Sequence, residues 1–579
     1  MSGGLAALER LNSFDFAGAA AALGPRRPAL GLFADPLQDL RYRARGDAGL
    51  AAGLGRAERL SRRRPRDARL RQLVAALRIA RGDYRRGLAG LPATGGALQR
   101  HWSLLWEFRA RSLWGLERRD AALLGAAESA IDAALELEPD SAAALFWRAD
   151  YHANFGRYLV ALPDLHRLVD RGENLAWALS LRGEVYTELR LWELVRADYE
   201  ALARLSGGAA WAVALRGRAH AKFGRLEEGL ADLDAAVASA RRGGDPRTFV
   251  SAVAWRGEAR RKRGGLAAAL RDFDAALAGP VPYPLAEAWK GRALLGAGRL
   301  EEARAALGRS LPRLKAVDAS LALCWRAEAS ARLGDFRAAL ADFGKVYPLS
   351  PKDTWTAPPE RMRRQARAAA KPGDADAWTF LGRLSLDAGD NEGAAEQLSR
   401  AAALAPARPW VRTWLGLALL RSGRPGPALD ELERAGEGAW ARAHRGRSLA
   451  ELGDLKRGLR ELDAAVDASG SGWPLLWRAQ ARLRAGDAAG SAADARGALA
   501  RETRAAEMYA ALARAERALG RRAKALAAFA EAVALDPSMR WRTSRAGAPT
   551  QAPRLAAVAW ALGDRAQESF LVRLLEADA

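Results

Sequence analysis

The sequence predicts an all-α protein built as a solenoid of stacked helical hairpins, and three observations predict it. A unit of about 34 residues recurs along the chain, the length of one helix–turn–helix. The turns carry glycine at one fixed place, and seven residues earlier only small residues stand. β-branched residues are sparse, so the apolar pattern is helical throughout with almost no strand signal. With 579 residues, half of them hydrophobic, the chain is too long for one globular core and suits a core that grows one repeat at a time.

Numbering the turn residue as repeat position 15 places Gly156, Arg190, Gly224, Gly264, Gly298, Gly334, Gly389, Gly423, Gly453, Gly486 and Gly520 there. A glycine at this point can take the left-handed conformation that ends a helix, and Asp or Arg then opens the next one. The signature reads Leu333-Gly334-Asp335, Leu452-Gly453-Asp454, Phe155-Gly156-Arg157 and Phe223-Gly224-Arg225. Position 8 holds Ala149, Gly183, Gly217, Gly257, Gly291, Ala327, Gly382, Gly416, Gly446, Ala479 and Ala513. A small residue there lets the second helix of the hairpin approach closely. On the second helix, Ala339 before Phe343, and Ala525 before Phe529 and Ala532, repeat the theme of small residues beside a large apolar one.

This spacing resembles the tetratricopeptide repeat family, in the form with Arg-Gly at positions 7 and 8, as in Arg182-Gly183, Arg216-Gly217 and Arg256-Gly257. Pro351, Pro406 and Pro537 fall seventeen residues after their turn glycines, where that family carries a helix-ending proline. The resemblance covers roughly residues 103–545. It implies a right-handed α-α superhelix that binds peptides or partner proteins, and it specifies fold better than ligand.

Within the chain, arginine at position 7 tracks an acid sixteen residues later on the second helix. The pairs are Arg148 with Asp164, Arg182 with Asp198, Arg216 with Asp232, Arg256 with Asp272, Arg326 with Asp342, Arg445 with Glu461 and Arg478 with Asp494. Where the arginine is missing the acid usually is too: Lys290 stands opposite Ala306, Leu381 opposite Gln397 and Leu512 opposite Ala528, with Leu415 and Glu431 the mixed case. These seven arginines therefore read as intra-repeat ion pairs between the two helices.

Along the chain, residues 1–102 read as degenerate hairpins forming an N-terminal cap, with turns at Gly46-Asp47 and Gly82-Asp83. Residues 103–347 form a first array, opened by a unit at 103–139 with a lengthened second helix. Between Gly334 and Gly389 the turn spacing jumps to fifty-five residues, and 348–373 carries Pro348, Pro351, Pro358, Pro359 and Pro372, which reads as a hinge. A short basic helix, Arg361 to Arg367, fits inside it. A second array spans 374–545, and 546–579 closes the chain with a proline-containing loop at Pro549 and Pro553 and a solvent-facing pair of helices.

Tryptophan is the strongest candidate for function. The chain has 19, concentrated in first helices at positions 2 and 6, one turn apart on one face. Position 2 holds Trp177, Trp211, Trp410, Trp440 and Trp473, and position 6 holds Trp147, Trp255, Trp289, Trp325, Trp414 and Trp477. His444 takes position 6 in its unit. The resemblance implies that these positions look toward the concave groove, where they would anchor apolar side chains or cations. The competing reading is packing between adjacent first helices. Trp410, Trp414, Trp440, Trp473 and Trp477 cluster in consecutive units and form the densest group.

Net charge is +23, and the first 100 residues hold 19 arginines against 8 acids. Ser61-Arg62-Arg63-Arg64-Pro65-Arg66 is the densest basic run, suited to nucleic acid, anionic lipid or an acidic protein, or simply solvated. Heavy use of Ala, Arg and Gly suggests a GC-rich bacterial genome, which raises arginine for reasons unrelated to function. His101, His152, His166, His220 and His444 show no metal-ligand spacing, and the glycines sit at helix turns rather than in phosphate loops. The single cysteine, Cys324, reads as a core thiol beside Trp325. Residues Met1 to Arg10 lack a basic stretch followed by an apolar one, and no segment is apolar for a bilayer's width, so the expectation is a cytoplasmic protein without membrane insertion. The sequence thus points to a scaffold without cofactor, metal or catalytic residues that binds a protein or extended peptide. The alternatives are a nucleic-acid-associated repeat protein using the basic N-terminal region, or an accessory subunit of an enzyme.

Overall fold

The computed structural model of the chain describes residues 48–91, 97–346, 373–501, 505–536 and 552–577, apart from residues 64, 67, 119, 174, 315, 565 and 566. Among the described residues all regular secondary structure is helical. The turn at Gly46-Asp47, the basic stretch Arg361 to Arg367 and the loop prolines Pro348, Pro351, Pro358, Pro359, Pro372 and Pro549 lie outside them.

In chain order, α1 (Ala48–Arg63), α2 (Ala68–Ala80) and α3 (Tyr84–Gly90) precede a longer hairpin of α4 (Ala97–Arg118) and α5 (Ala121–Leu137). Regular hairpins follow as α6 (Ala142–Asn154) with α7 (Tyr158–Asp170), α8 (Leu175–Glu188) with α9 (Trp192–Leu205), and α10 (Ala210–Lys222) with α11 (Leu226–Gly243). Next come α12 (Pro246–Lys262) with α13 (Leu266–Leu277), α14 (Pro284–Gly296) with α15 (Leu300–Ser310), and α16 (Ala316–Arg332) with α17 (Phe336–Val346). After residue 372 the pairs are α18 (Ala375–Asp387) with α19 (Asn391–Leu404), α20 (Pro409–Arg421) with α21 (Pro425–Arg434), and α22 (Ala439–Glu451) with α23 (Leu455–Ala468). The chain ends with α24 (Trp473–Arg484) and α25 (Ala488–Arg501), α26 (Ala506–Ala518) and α27 (Arg522–Leu535), and α28 (Ala552–Ala561) and α29 (Glu568–Ala577).

The two landmarks work as the sequence predicts. All eleven residues at position 15 have positive φ, including Arg190 at 56°, the one described non-glycine residue in that region. Gly82 adopts φ 83°, so the same turn recurs in the N-terminal hairpin. Where aspartate follows the glycine it caps the next helix. Asp335, Asp390, Asp454 and Asp487 accept from the amides of Ala338, Gly393, Arg457 and Gly490 at 2.7–3.1 Å. At position 8, a Cβ on Gly446 would stand 2.7 Å from Leu462 Cγ and 2.8 Å from the Gly458 carbonyl oxygen, so the second helix lies against bare backbone.

Six of the seven arginine–acid pairs close within their hairpins. Arg148–Asp164, Arg182–Asp198, Arg256–Asp272, Arg326–Asp342 and Arg478–Asp494 are two-pronged, with donor–acceptor distances of 2.5–3.0 Å. Arg445 reaches Glu461 at 2.6 Å through one nitrogen. The two members of the seventh, Arg216 and Asp232, belong to different compact units. The mixed case has its own solution: Glu431 takes Arg412, one turn before Leu415, at 2.6 Å.

A second arginine device was not visible as charge pairing. At position 13, Lys262, Arg332, Arg421 and Arg484 donate to the carbonyls of Ala221, Leu295, Leu386 and Ala450, each at position 12 of the preceding first helix, at 2.9–3.5 Å. A cation there meets the last-turn carbonyls and negative end of a helix, which ties one repeat to the next.

The chain divides into two compact units, Met1–Ala219 with Leu499–Ala579, and His220–Ala498. In the first, Trp106 packs edge-on against Trp147 and Phe108 against Tyr151, with ring centroids 5.5 Å apart in both pairs. There α7 also packs against α27 and α28, so the closing helices have a partner beyond their own hairpin. In the second unit, packing continues across the proline-rich break. Phe380 of α18 meets Phe336 and Phe343 of α17 at 5.7 and 5.4 Å, and all three are buried.

Candidate functional site

The first helices carry the tryptophans because position 8 fixes which face meets the second helix. Positions 2 and 6 then fall on a neighbouring strip. The structure separates these two sets in part.

Position 6 lies inward. Trp147, Trp325 and Trp477 are only 2%, 3% and 7% exposed, and Trp255, Trp289 and Trp414 are half-buried. Four of these rings carry a guanidinium from the preceding repeat on one face. Arg109 lies 5.0 Å from the Trp147 centroid, Arg292 4.9 Å from Trp325, Arg383 4.2 Å from Trp414 and Arg447 4.7 Å from Trp477. Arg292, Arg383 and Arg447 occupy position 9, immediately after the small residue of position 8, while Arg109 follows Phe108. The contact is a cation–π staple between successive first helices. Its sequence signature was available: an arginine at position 9 followed by a tryptophan at position 6 of the next unit, which also holds for Arg218 and Trp255. Trp289, preceded by Glu258 at that place, packs instead against Phe273 and Tyr283 at 6.5 and 6.1 Å.

His444, preceded by Leu417 at position 9, is fully buried, its ring 4.8 Å from Trp477 and 6.3 Å from Trp440. Burial, with Arg447 and Arg421 nearby, holds its pKa well below the ordinary value. It is a neutral packing residue with no surface to offer a ligand.

Position 2 lies outward. Trp410 is 39% exposed, among the largest apolar side chains left in solvent, while Trp177, Trp211, Trp440 and Trp473 are half-buried. Trp177 leans edge-on against Phe146 at 6.3 Å, and Trp440 and Trp473 rest on Trp477 at 6.0 and 6.1 Å. In the second unit, the buried position-6 ring therefore props up the half-open position-2 rings. Trp410, Trp440 and Trp473 come from three consecutive hairpins, α20–α21, α22–α23 and α24–α25.

The other chemistry-bearing residues serve the fold. His101 bonds the Ala134 carbonyl at 2.8 Å and Ser141 Oγ at 3.0 Å, and His166 bonds Tyr186 Oη at 2.6 Å. Burial lowers the pKa of His152 to about 3 and of His166 to about 4, with neighbouring arginine charge acting in the same direction on both. Cys324 is buried. Among the described residues no group of three or more His, Cys, Asp and Glu is placed to hold a metal ion, and no helix is long and apolar enough to cross a membrane. Arg62, Arg63 and Arg66 of the basic run are exposed, and Arg64 lies outside the described residues.

No curated protein matches the sequence. Solved structures with similar folds include TTC0263, a thermophilic tetratricopeptide repeat protein of Thermus thermophilus, at 20% identity over 35% of this chain and 100% of that one, TM-score 0.28. Yeast Tom70 matches at 13% identity over 70% and 99% of the two chains, TM-score 0.30. The Cut9–Hcn1 hetero-tetramer structure matches at 13% identity over 97% and 99%, TM-score 0.34. A family model described as tetratricopeptide repeat matches residues 506–539, the hairpin of α26 and α27. That hairpin shares its position-8 small residue and left-handed position-15 glycine with the hairpins before it, so residues 506–539 form a tetratricopeptide repeat and the rest of the chain repeats the same hairpin design.

Proposed function

We propose that the chain is a non-catalytic interaction scaffold that holds a protein or extended peptide on the surface of its first helices, with the position-2 tryptophans of α20, α22 and α24 as anchors. The observation that carries this reading is the split between the two tryptophan sets. Trp147, Trp325 and Trp477 at position 6 are buried, whereas at position 2 Trp410 is exposed and Trp440 and Trp473 are half-buried, in three successive units. Half-open aromatic rings propped on a rigid base are the surface that dominates protein–protein affinity, because they bring large contact area with little entropy left to lose.

The test is capture from native extract, with and without nuclease. It compares the wild type with a Trp410→Ala, Trp440→Ala, Trp473→Ala variant whose circular dichroism is unchanged. A nuclease-resistant protein partner that the variant loses supports the scaffold. A partner that disappears with nuclease and survives the substitutions overturns it, and moves function to the exposed arginines of α1 and its following turn.

A further inference from the structure

The cap of α7 comes from the far end of the chain. Helices that follow a Gly-Asp turn are capped by their own aspartate, but α7 follows Phe155-Gly156-Arg157. Arg157 makes no side-chain cap, and the first turn of α7 holds no acid. Glu531 of α27 takes the place. Its Oε1 accepts from the Val160 amide at 3.0 Å across a sequence separation of 371 residues, and the Leu159 and Tyr158 amides of the same helix end act on the carboxyl as well. Glu531 is only 3% exposed, and its Oε2 has no hydrogen-bond partner.

The surroundings are apolar and aromatic with one cation. From the turn before α7, Arg157 faces the carboxyl while also pairing with Glu128 of α5. From α26, Tyr509 lies against both Glu531 and Arg157, with Tyr158 beside it. On α28, the Arg554 guanidinium is engaged by the Ala534 and Leu535 carbonyls at the end of α27. α29 packs on α27 as well and brings Glu568 in its first turn. His152 at the end of α6 is buried and neutral beside Arg157. Desolvation outweighs the helix-end amides and Arg157, so burial pushes the Glu531 pKa up to about 8.

We propose that Glu531 and the turn at 157–160 form a latch that holds the C-terminal hairpins α26–α29 against α7, engaged while Glu531 is neutral and released as it ionises. Glu531 is buried in the closed seam, and an open seam would let water reach the carboxylate. The open form therefore ionises near the ordinary glutamate value while the closed form resists ionisation. By linkage, the closed-to-open ratio is highest below about pH 4.5 and falls by up to about tenfold per pH unit until about pH 8, then levels off. The latch thus responds across the physiological range, and tightens in acid.

Amide hydrogen exchange on the full-length protein reads it directly. Protection factors at Tyr158, Leu159 and Val160 are compared between pH 5 and 8 with that of Gly393, which is capped locally by Asp390. In the wild type the three α7 amides should lose protection by about tenfold or more as pH rises over that range, while Gly393 stays constant. Glu531→Gln keeps the accepting oxygen without the charge and should hold protection flat. Glu531→Ala should leave the three amides unprotected at every pH, with the melting temperature reporting whether the rest stays folded. Flat wild-type protection, a Glu531→Gln variant that titrates like the wild type, or protected amides in Glu531→Ala would each overturn the latch.

Discussion

At the scale of single residues, arginine carries most of the structure's specificity, in three distinct roles set by repeat position. At position 7 it ties the two helices of a hairpin, at position 9 it covers the next repeat's tryptophan, and at position 13 a cation closes the end of the preceding first helix. Asp272, like Asp494, is an acid of the first kind engaged by two arginines. It is buried and accepts from Arg256 at 3.0 and 2.6 Å and from Arg260 at 2.9 Å. Asp272→Ala removes one charge from a desolvated trio and should cost about 3 kcal/mol in chemical denaturation, since two arginines lose their main partner. An unchanged denaturation midpoint would mean that the pair is not holding the hairpin. The position-7 pairs were legible in the sequence because both partners are side chains that vary together. The position-13 contacts were not, because a carbonyl acceptor leaves no trace in residue identity. The arginine–tryptophan staples were legible in principle, as a correlation between neighbouring repeats rather than within one.

At the scale of the element, the hairpin is defined by two backbone requirements that side chains cannot relax. The turn needs a left-handed residue, and position 8 needs space for the second helix. Gly446 shows the second most sharply, because the obstacle to a side chain includes the Gly458 carbonyl oxygen, part of another helix's backbone, at 2.8 Å. Gly446→Ala should therefore force α22 and α23 apart and destabilise the protein by about 1–3 kcal/mol, against the usual gain from alanine in a helix. Thermal denaturation checks the sign. A stabilised variant would show that the hairpin can relax. Both requirements were fully legible in the sequence, since each one selects glycine or a small side chain at a fixed spacing. The 348–373 stretch reads from its prolines as a hinge between arrays, and the structure shows Phe380 packed on Phe336 and Phe343 across it. Aromatic burial at the flanking helices is invisible to a reading that follows the turn spacing.

At the scale of the whole molecule, stability is spread along the repeats, and the buried histidines add a pH dependence. The pKa of His444 lies well below its ordinary value of about 6.5, because burial and two nearby arginines disfavour the cation. A depressed folded-state pKa means that the neutral ring's contribution is intact above about pH 6.5 and is lost progressively as pH falls below it. His444→Leu should accordingly reduce the fall in melting temperature between pH 7 and pH 4.5, whereas an equal fall in both proteins would assign acid sensitivity elsewhere. Glu531 has the opposite sign, so the α7–α27 seam is expected to tighten over the range in which the α22–α24 region weakens. The candidate site was half legible from sequence. The tryptophans of positions 2 and 6 are visible in the repeat, but which of their rings are buried depends in part on the position-9 arginines of neighbouring repeats. The measurement that tests the account most directly is a paired comparison of melting temperature and affinity for the captured partner. One variant carries Trp410→Ala, Trp440→Ala and Trp473→Ala, and the other Trp414→Ala and Trp477→Ala. The account predicts that the first keeps its melting temperature and loses affinity by about 2 kcal/mol or more, while the second melts early. A position-2 variant that melts early, or that binds like the wild type, would contradict it.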